Sequence, residues 1–440
     1  MLSGEARQGT VPSGYAENYR YKAIAGDAYG LGETGAPPLY PGQPQVHMQV
    51  MPMAKTQQPG VREAEPLSCG RECRGIMSIM CQWLNILLVF VPLGILSPNL
   101  EWGCACTFAC NFTAIVPLAG ILGASTECLA AHTGQMIGGL LNATFGNAVE
   151  MIVTINAIKA GLVSVVQGSL LGSILSNLLL VLGMAFFAAG LRTKESKFNS
   201  TGASANMTCL TLASIALGLP TIFSHLPNAQ PEDMVSISRI SSIIIAVVYL
   251  LFLWFQLVTH ADLFSSGEEE EEEQAVMSAV TSVVLLLSAT VAVAVCSEYL
   301  VDSIEGVSEE YGLPKAFIGV ILLPIVGNAA EHATAVTCAA KGKMDLALGV
   351  AIGSSTQIAL FVVPFSVVVG WIYDVPMSLD FRIFDSTVLL LSVFLAGNVL
   401  HDGCSNWLEG AMLVATYVLI AIICWFIPEE GGEHHSRREL

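Results

Sequence analysis

The chain has 440 residues, 53% of them hydrophobic and 12% charged, with a net charge of −18. A soluble domain carries about 25% charged residues, so the composition excludes an ordinary water-soluble fold and fits an integral membrane protein with about ten spans. The acidic balance argues against a nucleic-acid partner and favours the handling of cations.

Residues 1–75 are rich in Gly, Pro and Gln, with little periodicity and no apolar stretch of signal-peptide type, and are expected to form a disordered tail. Eleven apolar segments follow, near 77–97, 105–126, 137–159, 164–190, 204–225, 238–259, 276–299, 314–340, 345–371, 384–400 and 407–427. They predict an all-α membrane protein in which 76–100 holds a first transmembrane helix and 101–260 and 276–428 form two five-helix units. Between the units, 261–275 carries the acidic run Glu268, Glu269, Glu270, Glu271, Glu272 and Glu273; residues 429–440 form a C-terminal tail. The twelve cysteines show no zinc-type CxxC pair. Most, including Cys296, Cys338 and Cys424, fall in apolar runs, where Cys acts as a small hydrophobe. Lys and Arg in the short loops place the N-terminus on the cytoplasmic side: Arg71, Arg74, Arg192, Lys194, Lys197, Lys341 and Lys343 against Lys159, Arg239, Lys315, Arg382, Arg437 and Arg438.

Within this pattern, "GNAVE" at 146–150 returns as "GNAAE" at 327–331. One offset, 181 residues, maps Gly146 to Gly327, Asn147 to Asn328 and Glu150 to Glu331, then Gly172-Ser173 to Gly353-Ser354 without a gap. The motifs fall in the third and eighth segments, which cross the membrane in opposite directions. Two five-helix repeats of inverted topology, meeting at a site near the midplane, are therefore expected.

An ionised carboxylate at the bilayer centre costs at least ~3 kcal/mol, and no Lys or Arg lies beside Glu150 or Glu331 on its helix. A cation is their natural partner. Asn147, Glu150 and Thr154 share one helical face, and Asn328, Glu331 and Thr334 or Ala335 repeat it imperfectly. The next segments carry polar edges: Gly168, Gly172, Ser173, Ser176 and Asn177 in one, and Gly349, Gly353, Ser354 and Gln357 in the other. Two carboxylates among such oxygens suit a hard ion such as Ca²⁺; with no Cys or Met cluster, a soft-metal site is disfavoured. Gly146 and Gly327 would admit a neighbouring helix or weaken their own so that carbonyls turn inward.

Each feature has a plainer reading. Gly168 and Gly349 fit helix packing equally well, and Ser173, Ser354 and Gln357 could serve interhelical hydrogen bonds. His332 is a candidate for proton handling beside Glu331, or else an interhelical donor; no second His makes an HExxH motif. The six-glutamate run reads most simply as a solvated linker. Glu127, Glu298, Asp302 and Glu305 fall near segment ends, with Glu298 alone deep enough to face a cavity.

The stretches "GGLLNATFGNAVEMIV", "GSLLGSILSNLLLVLG", "PIVGNAAEHATA" and "LGVAIGSSTQIALFV", with "FQLVTHADLF" and "DGCSNWLEGAMLVATYVLIAIICWF", resemble the vacuolar cation/proton exchangers of the calcium/cation antiporter superfamily. The resemblance spans about 76–428. It implies eleven helices, exchange of cytosolic Ca²⁺ or another divalent ion such as Mn²⁺ for lumenal H⁺, and an acidic helix at Glu268–Glu273 as a regulatory or cation-gathering element. It implies a vacuolar or other acidic-organelle membrane and no cofactor beyond the transported ions. Carried onto this chain, it makes Glu150 and Glu331 the metal-binding carboxylates. Asn147, Asn328, Ser173, Ser354 and Gln357 would line the site, and Gly146 and Gly327 would supply backbone.

The residues alone reach a similar mechanism. Two carboxylates can be neutralised by one divalent cation or by protons, and competition between them becomes antiport if the cavity opens only when neutralised. No P-loop is present, so a gradient must drive transport. Nothing resembles a nucleophile–base set, so an enzyme is not expected. The alternatives are a Na⁺/Ca²⁺ exchanger of the same superfamily and a cation channel with a glutamate ring, which a one-Glu-per-half repeat disfavours.

Overall fold

A computed structural model describes residues 69–133, 135–227, 229–261 and 276–428. The tail before residue 69, the run Glu268–Glu273 and residues 429–440 lie outside the described residues.

The apolar segments form helices, numbered here in chain order. Those long and apolar enough to cross a membrane unbroken are α3 (Cys104–Ala130), α6 (Val163–Gly190), α7 (Ser200–Ser224), α8 (Glu232–Thr259), α9 (Ala279–Tyr311), α12 (Met344–Ile372), α13 (Ile383–Leu400) and α14 (Trp407–Phe426). Three further pairs are bent: α1 with α2 (Glu72–Met80 and Trp83–Leu96) by 81°, α4 with α5 (Met136–Phe145 and Ala148–Lys159) by 40°, and α10 with α11 (Lys315–Gly327 and Ala329–Ala340) by 57°. Counting each pair as one span gives the eleven expected, one N-terminal span followed by two inverted five-helix repeats.

Helix order follows from lipid and packing. A chain in hydrocarbon must satisfy its backbone within each segment, and the Leu, Ile and Val runs do so as helices. The burial is uneven. α6 and α12, which carry the polar edges, are buried over 83% and 67% of their apolar windows, whereas α8 is buried over only 22%. The site-bearing helices thus form the protein's centre and α8 faces lipid.

Hydropathy misplaced one end of each of two segments. A helix runs from Cys69 to Met80, inside what reads as tail, because it is amphipathic rather than uniformly apolar. α9 continues with a kink at Ser303 to Tyr311, beyond the apolar run that ends near 299. A two-stranded ribbon also departs from the all-helical expectation: β1 (Ser196–Lys197) pairs antiparallel with β2 (Cys404–Ser405), joining the loop after α6 to the start of α14.

At one end of the bundle, Lys159 lies 5.3 Å from the centre of the Tyr373 ring and Arg239 4.5 Å from that of Trp371. These pairs set cations against aromatics, as amphipathic side chains do at a membrane boundary.

Candidate cation-binding site

Both GNA(V/A)E motifs break their helices at the same residue. Asn147 (φ −101°, ψ 16°) and Asn328 (φ −89°, ψ 9°) leave the helical region just before α5 and α11. A glycine inside a helix costs about 1 kcal/mol relative to Ala, and Asn readily takes turn conformations, so Gly-Asn supplies the weak point twice. In α10 Pro324 adds to the effect, since it lacks an amide hydrogen and its ring presses on the carbonyl of Val320. The larger bend there has this cause. Breaking a helix leaves end groups without partners in the same turn; here they lie in mid-bundle.

Across the breaks, each repeat reaches the polar helix of the other. The Asn147 amide donates to the Ala143 carbonyl at 2.9 Å and to Gln357 Oε1 on α12 at 2.8 Å. The Asn328 amide donates to the Ser173 carbonyl on α6 at 3.3 Å. Glu331 Oε2 accepts from Asn177 on α6 at 2.8 Å, and the same amide donates to Ser354 Oγ at 3.0 Å. Glu150 points its Oε1 at Gly327: a Cβ built there would come within 2.9 Å of that oxygen. Glu150, Ser173 and Gly327 line one cavity of about 10 Å³, the scale of a single water molecule.

Four oxygens of this cluster are buried with no hydrogen-bond partner among the described residues: Glu150 Oε2, Asn147 Oδ1, Asn177 Oδ1 and Asn328 Oδ1. Buried acceptors are seldom left so, because each unpaired one costs about 1–3 kcal/mol. A cation is one partner that would satisfy several at once. No group of three His, Cys, Asp or Glu side chains suited to a metal occurs among the described residues. Any ion held here must take two carboxylates plus amide, hydroxyl or backbone oxygens, the donor set of a hard cation.

The sequence placed Asn177 on the polar edge of its segment without assigning it to the site, and the structure sets several of the other candidates apart. Asn177, wholly buried, holds Glu331 directly. The 181-residue offset maps it onto Ile358, so a search by repeat passes over it. Gly146 does not mirror Gly327. It is exposed, and a Cβ there would meet the carbonyl oxygen of Asn142 in its own helix at 2.5 Å, so its part is in the bend. Thr154 is buried, but Thr334 is exposed and its apolar neighbour Ala335 takes the equivalent position. Glu298 is exposed rather than facing a cavity, being on the outer side of α9. His332 turns from Glu331: its Nδ1 lies 2.5 Å from the Asn328 carbonyl oxygen and its Nε2 3.4 Å from Ser176 Oγ.

Wide, π-type turns mark both polar helices, over Ser176–Val181 in α6 and Ile358–Val362 in α12, at positions almost matched by the repeat offset. Such turns are frequent at functional sites, where they rotate the following side chains.

The repeats differ in how tightly these helices cross. A Cβ at Gly168 would lie 3.4 Å from Gly319 Cα, and one at Gly172 would collide with the Val320 carbonyl, so α6 and α10 are in close backbone contact. The equivalent glycines of α12, Gly349 and Gly353, have nothing within 4 Å of a built Cβ. Correspondingly α10 is mostly buried, whereas Met136, Ile137 and Leu140 of its counterpart α4 are exposed.

This fold, with paired carboxylates at the junction of inverted repeats, defines a membrane cation exchanger. The sequence pattern of the sodium/calcium exchanger protein family matches residues 104–258 and 281–426, and the chain belongs to that family. It is 44% identical over 356 residues to the vacuolar calcium ion transporter of Schizosaccharomyces pombe, covering 80% of this chain and 86% of that one. It is also 44% identical to the Ca²⁺/H⁺ antiporter of Aphanothece halophytica, covering 78% of this chain and 97% of the relative. Among solved structures, native YfkE superposes with a TM-score of 0.68 at 38% identity, over 78% of this chain and all of that one. The H⁺/Ca²⁺ exchanger CAX shares the fold, with a TM-score of 0.61 at 16% identity over 81% of this chain and 89% of that one.

Proposed function

We propose that the protein is a Ca²⁺/H⁺ antiporter of a vacuolar or other acidic-organelle membrane, its N-terminus cytoplasmic, that also accepts divalent ions such as Mn²⁺. The observation that carries this reading is the set of four unpartnered buried oxygens gathered around Glu150 and Glu331. Relatives at 44% identity, a Ca²⁺/H⁺ antiporter and a vacuolar calcium ion transporter, support the choice of ions and compartment.

In the proposed cycle one divalent cation lies between Glu150 and Glu331, with Asn147, Asn177 and Asn328 turning their carbonyl oxygens to it and Ser173, Ser354 and Gln357 holding those amides. The ion leaves when protons take its place on the same carboxylates. Both loaded forms are neutralised, which lowers the cost of carrying charge through the membrane centre. The open face of α12 at Gly349 and Gly353 is then the cytoplasmic entrance, and the closed α6–α10 crossing is the lumenal gate. Exchange of the two packings would expose the site to the other side. His332 serves protons through its ring, and Glu268–Glu273 gather cytosolic cations.

The deciding experiment is ⁴⁵Ca uptake by sealed vesicles with an acid interior. Uptake that collapses with a protonophore and ignores sodium is expected. Uptake that survives loss of the pH gradient but requires sodium would replace this reading with Na⁺/Ca²⁺ exchange. Non-saturating flux down the Ca²⁺ gradient would indicate a channel.

A further inference from the structure

The short helix α1 divides its residues into three arcs. Successive helical residues turn by about 100°, which gathers Glu72, Gly75 and Ile79 on one side. Ile76, Met80, Cys73 and Met77 occupy the next, and Arg74 and Ser78 the third.

The first arc is seated on protein. A Cβ at Gly75 would come within 2.5 Å of the Val276 carbonyl oxygen and 2.6 Å of Met277 Cγ, so α1 touches backbone there. The Glu72 carboxylate accepts from the Ser278 amide at 3.1 and 3.3 Å, and His132 Nε2 lies 2.7 Å from the Met277 carbonyl oxygen. Residues 276–278 lead directly into α9, and the Ser278 side chain caps that helix by accepting from the Thr281 amide. α1 is thereby held against the start of a membrane span.

The second arc is bare. Met77 is 61% exposed, and Ile76, Met80 and Cys73 are exposed beside it. The apolar surface continues onto α2 through Trp83 and Ile86, 75% and 77% exposed. α2 is the spanning part of the first segment, and the 81° bend sets α1 almost at right angles to it. Since spanning helices tilt by about 20° from the bilayer normal on average, α1 runs close to the membrane plane. Arg74 is on the third arc, where a long basic side chain reaches headgroup phosphates.

We propose that α1 is an interfacial helix lying in the cytoplasmic leaflet, with its Ile76–Met80–Cys73–Met77 arc among the acyl chains and Arg74 at the level of the phosphates. Its occupant is the membrane's own surface, because the bare arc is continuous with the lipid-facing side of α2 and its polar border is basic. One side of α1 then rests on lipid and the other on residues 276–278, so it ties the start of α9 to the leaflet.

The test uses the full chain in proteoliposomes with a fluorescent non-canonical amino acid at Met77, and separately at Met80 and Ser78. Lipids brominated in their acyl chains should quench the probes at Met77 and Met80 by more than half while aqueous iodide leaves them nearly unchanged. At Ser78 the order should reverse. Iodide quenching at Met77 and Met80 would place the arc in water and overturn the proposal. Quenching by neither agent would show the arc covered by protein, a second copy or the chain before residue 69, and would also overturn it. The readout is positional, so it stands whether or not the protein exchanges Ca²⁺ for protons.

Discussion

The polar helices of the two repeats bear the same small-residue pattern and pack differently. Gly168 and Gly172 lie against Gly319 and Val320, while Gly349 and Gly353 face open space. Glycine seams let backbones approach closely but do not compel them to. The same pattern is thus compatible with a shut and a parted arrangement inside one molecule. The carboxylates lie between these seams, and the exchange of one arrangement for the other is what the proposed transport cycle requires. Bistable helix packing of this kind, rather than gradual deformation, is how close-packed interiors usually move.

The repeats should agree most at their carboxylates. Glu150→Gln and Glu331→Gln each keep shape and hydrogen-bonding capacity, and a neutral amide is no costlier to bury than a carboxylate. Both variants should insert normally and lose proton-driven ⁴⁵Ca uptake. Near-parental uptake by either, with unchanged proton dependence, would break the equivalence and the shared-carboxylate mechanism with it.

The glycine seams should then disagree. Gly172→Val forces a side chain against the Val320 carbonyl and should lower thermal stability, by about 1–3 kcal/mol for overpacking of this kind. A Cβ at Gly353 has nothing within 4 Å, so Gly353→Val should fold normally yet slow exchange by obstructing the opposite arrangement. Equal loss of stability in both, measured by thermal unfolding in detergent, would mean that the difference between the seams does not persist in the membrane protein.

A third comparison sets Asn177 against Ile358, its counterpart by offset. Asn177→Leu removes a hydrogen bond to a charged group, an interaction of about 1.5–3 kcal/mol, so apparent Ca²⁺ affinity should fall about ten- to hundredfold. Ile358→Ala should leave affinity near parental. The smallest effect is expected at His332, whose counterpart is Met151. Its ring contacts the Asn328 carbonyl and Ser176 rather than a carboxylate. His332→Ala should move the pH profile of exchange while Ca²⁺ affinity stays put, and Met151→Ala should move neither.

Hydropathy found the eleven spans because lipid demands apolar length, and the offset found Glu150 and Glu331 because both repeats keep them. What escaped was of two kinds. α1 has too few apolar residues in a row for a span and is recognisable only by its arcs. Asn177 was on the polar edge read from the sequence, but it breaks the repeat, so the symmetry that singled out Ser173 and Ser354 left its bond to Glu331 unmarked. The bends were half legible: Gly146 and Gly327 suggested weak points, but the break falls at the following Asn, the second pair also carries Pro324, and the inequality of the two glycines depends on which helix approaches each. Exposure of Glu298 follows from the rotation of α9 about its axis, which nothing local to that residue determines.

Gly327 offers no side chain to any ligand, yet its bareness leaves the space into which Glu150 Oε1 is directed. A saturation survey of substitutions should therefore find it among the least tolerant positions of the chain, below several that contribute oxygens. Even alanine would set a methyl group 2.9 Å from that oxygen, and every larger residue would intrude further. Where the room beside a buried carboxylate is defined by an absent atom, genetic variation at that position reads as harshly as loss of a charge.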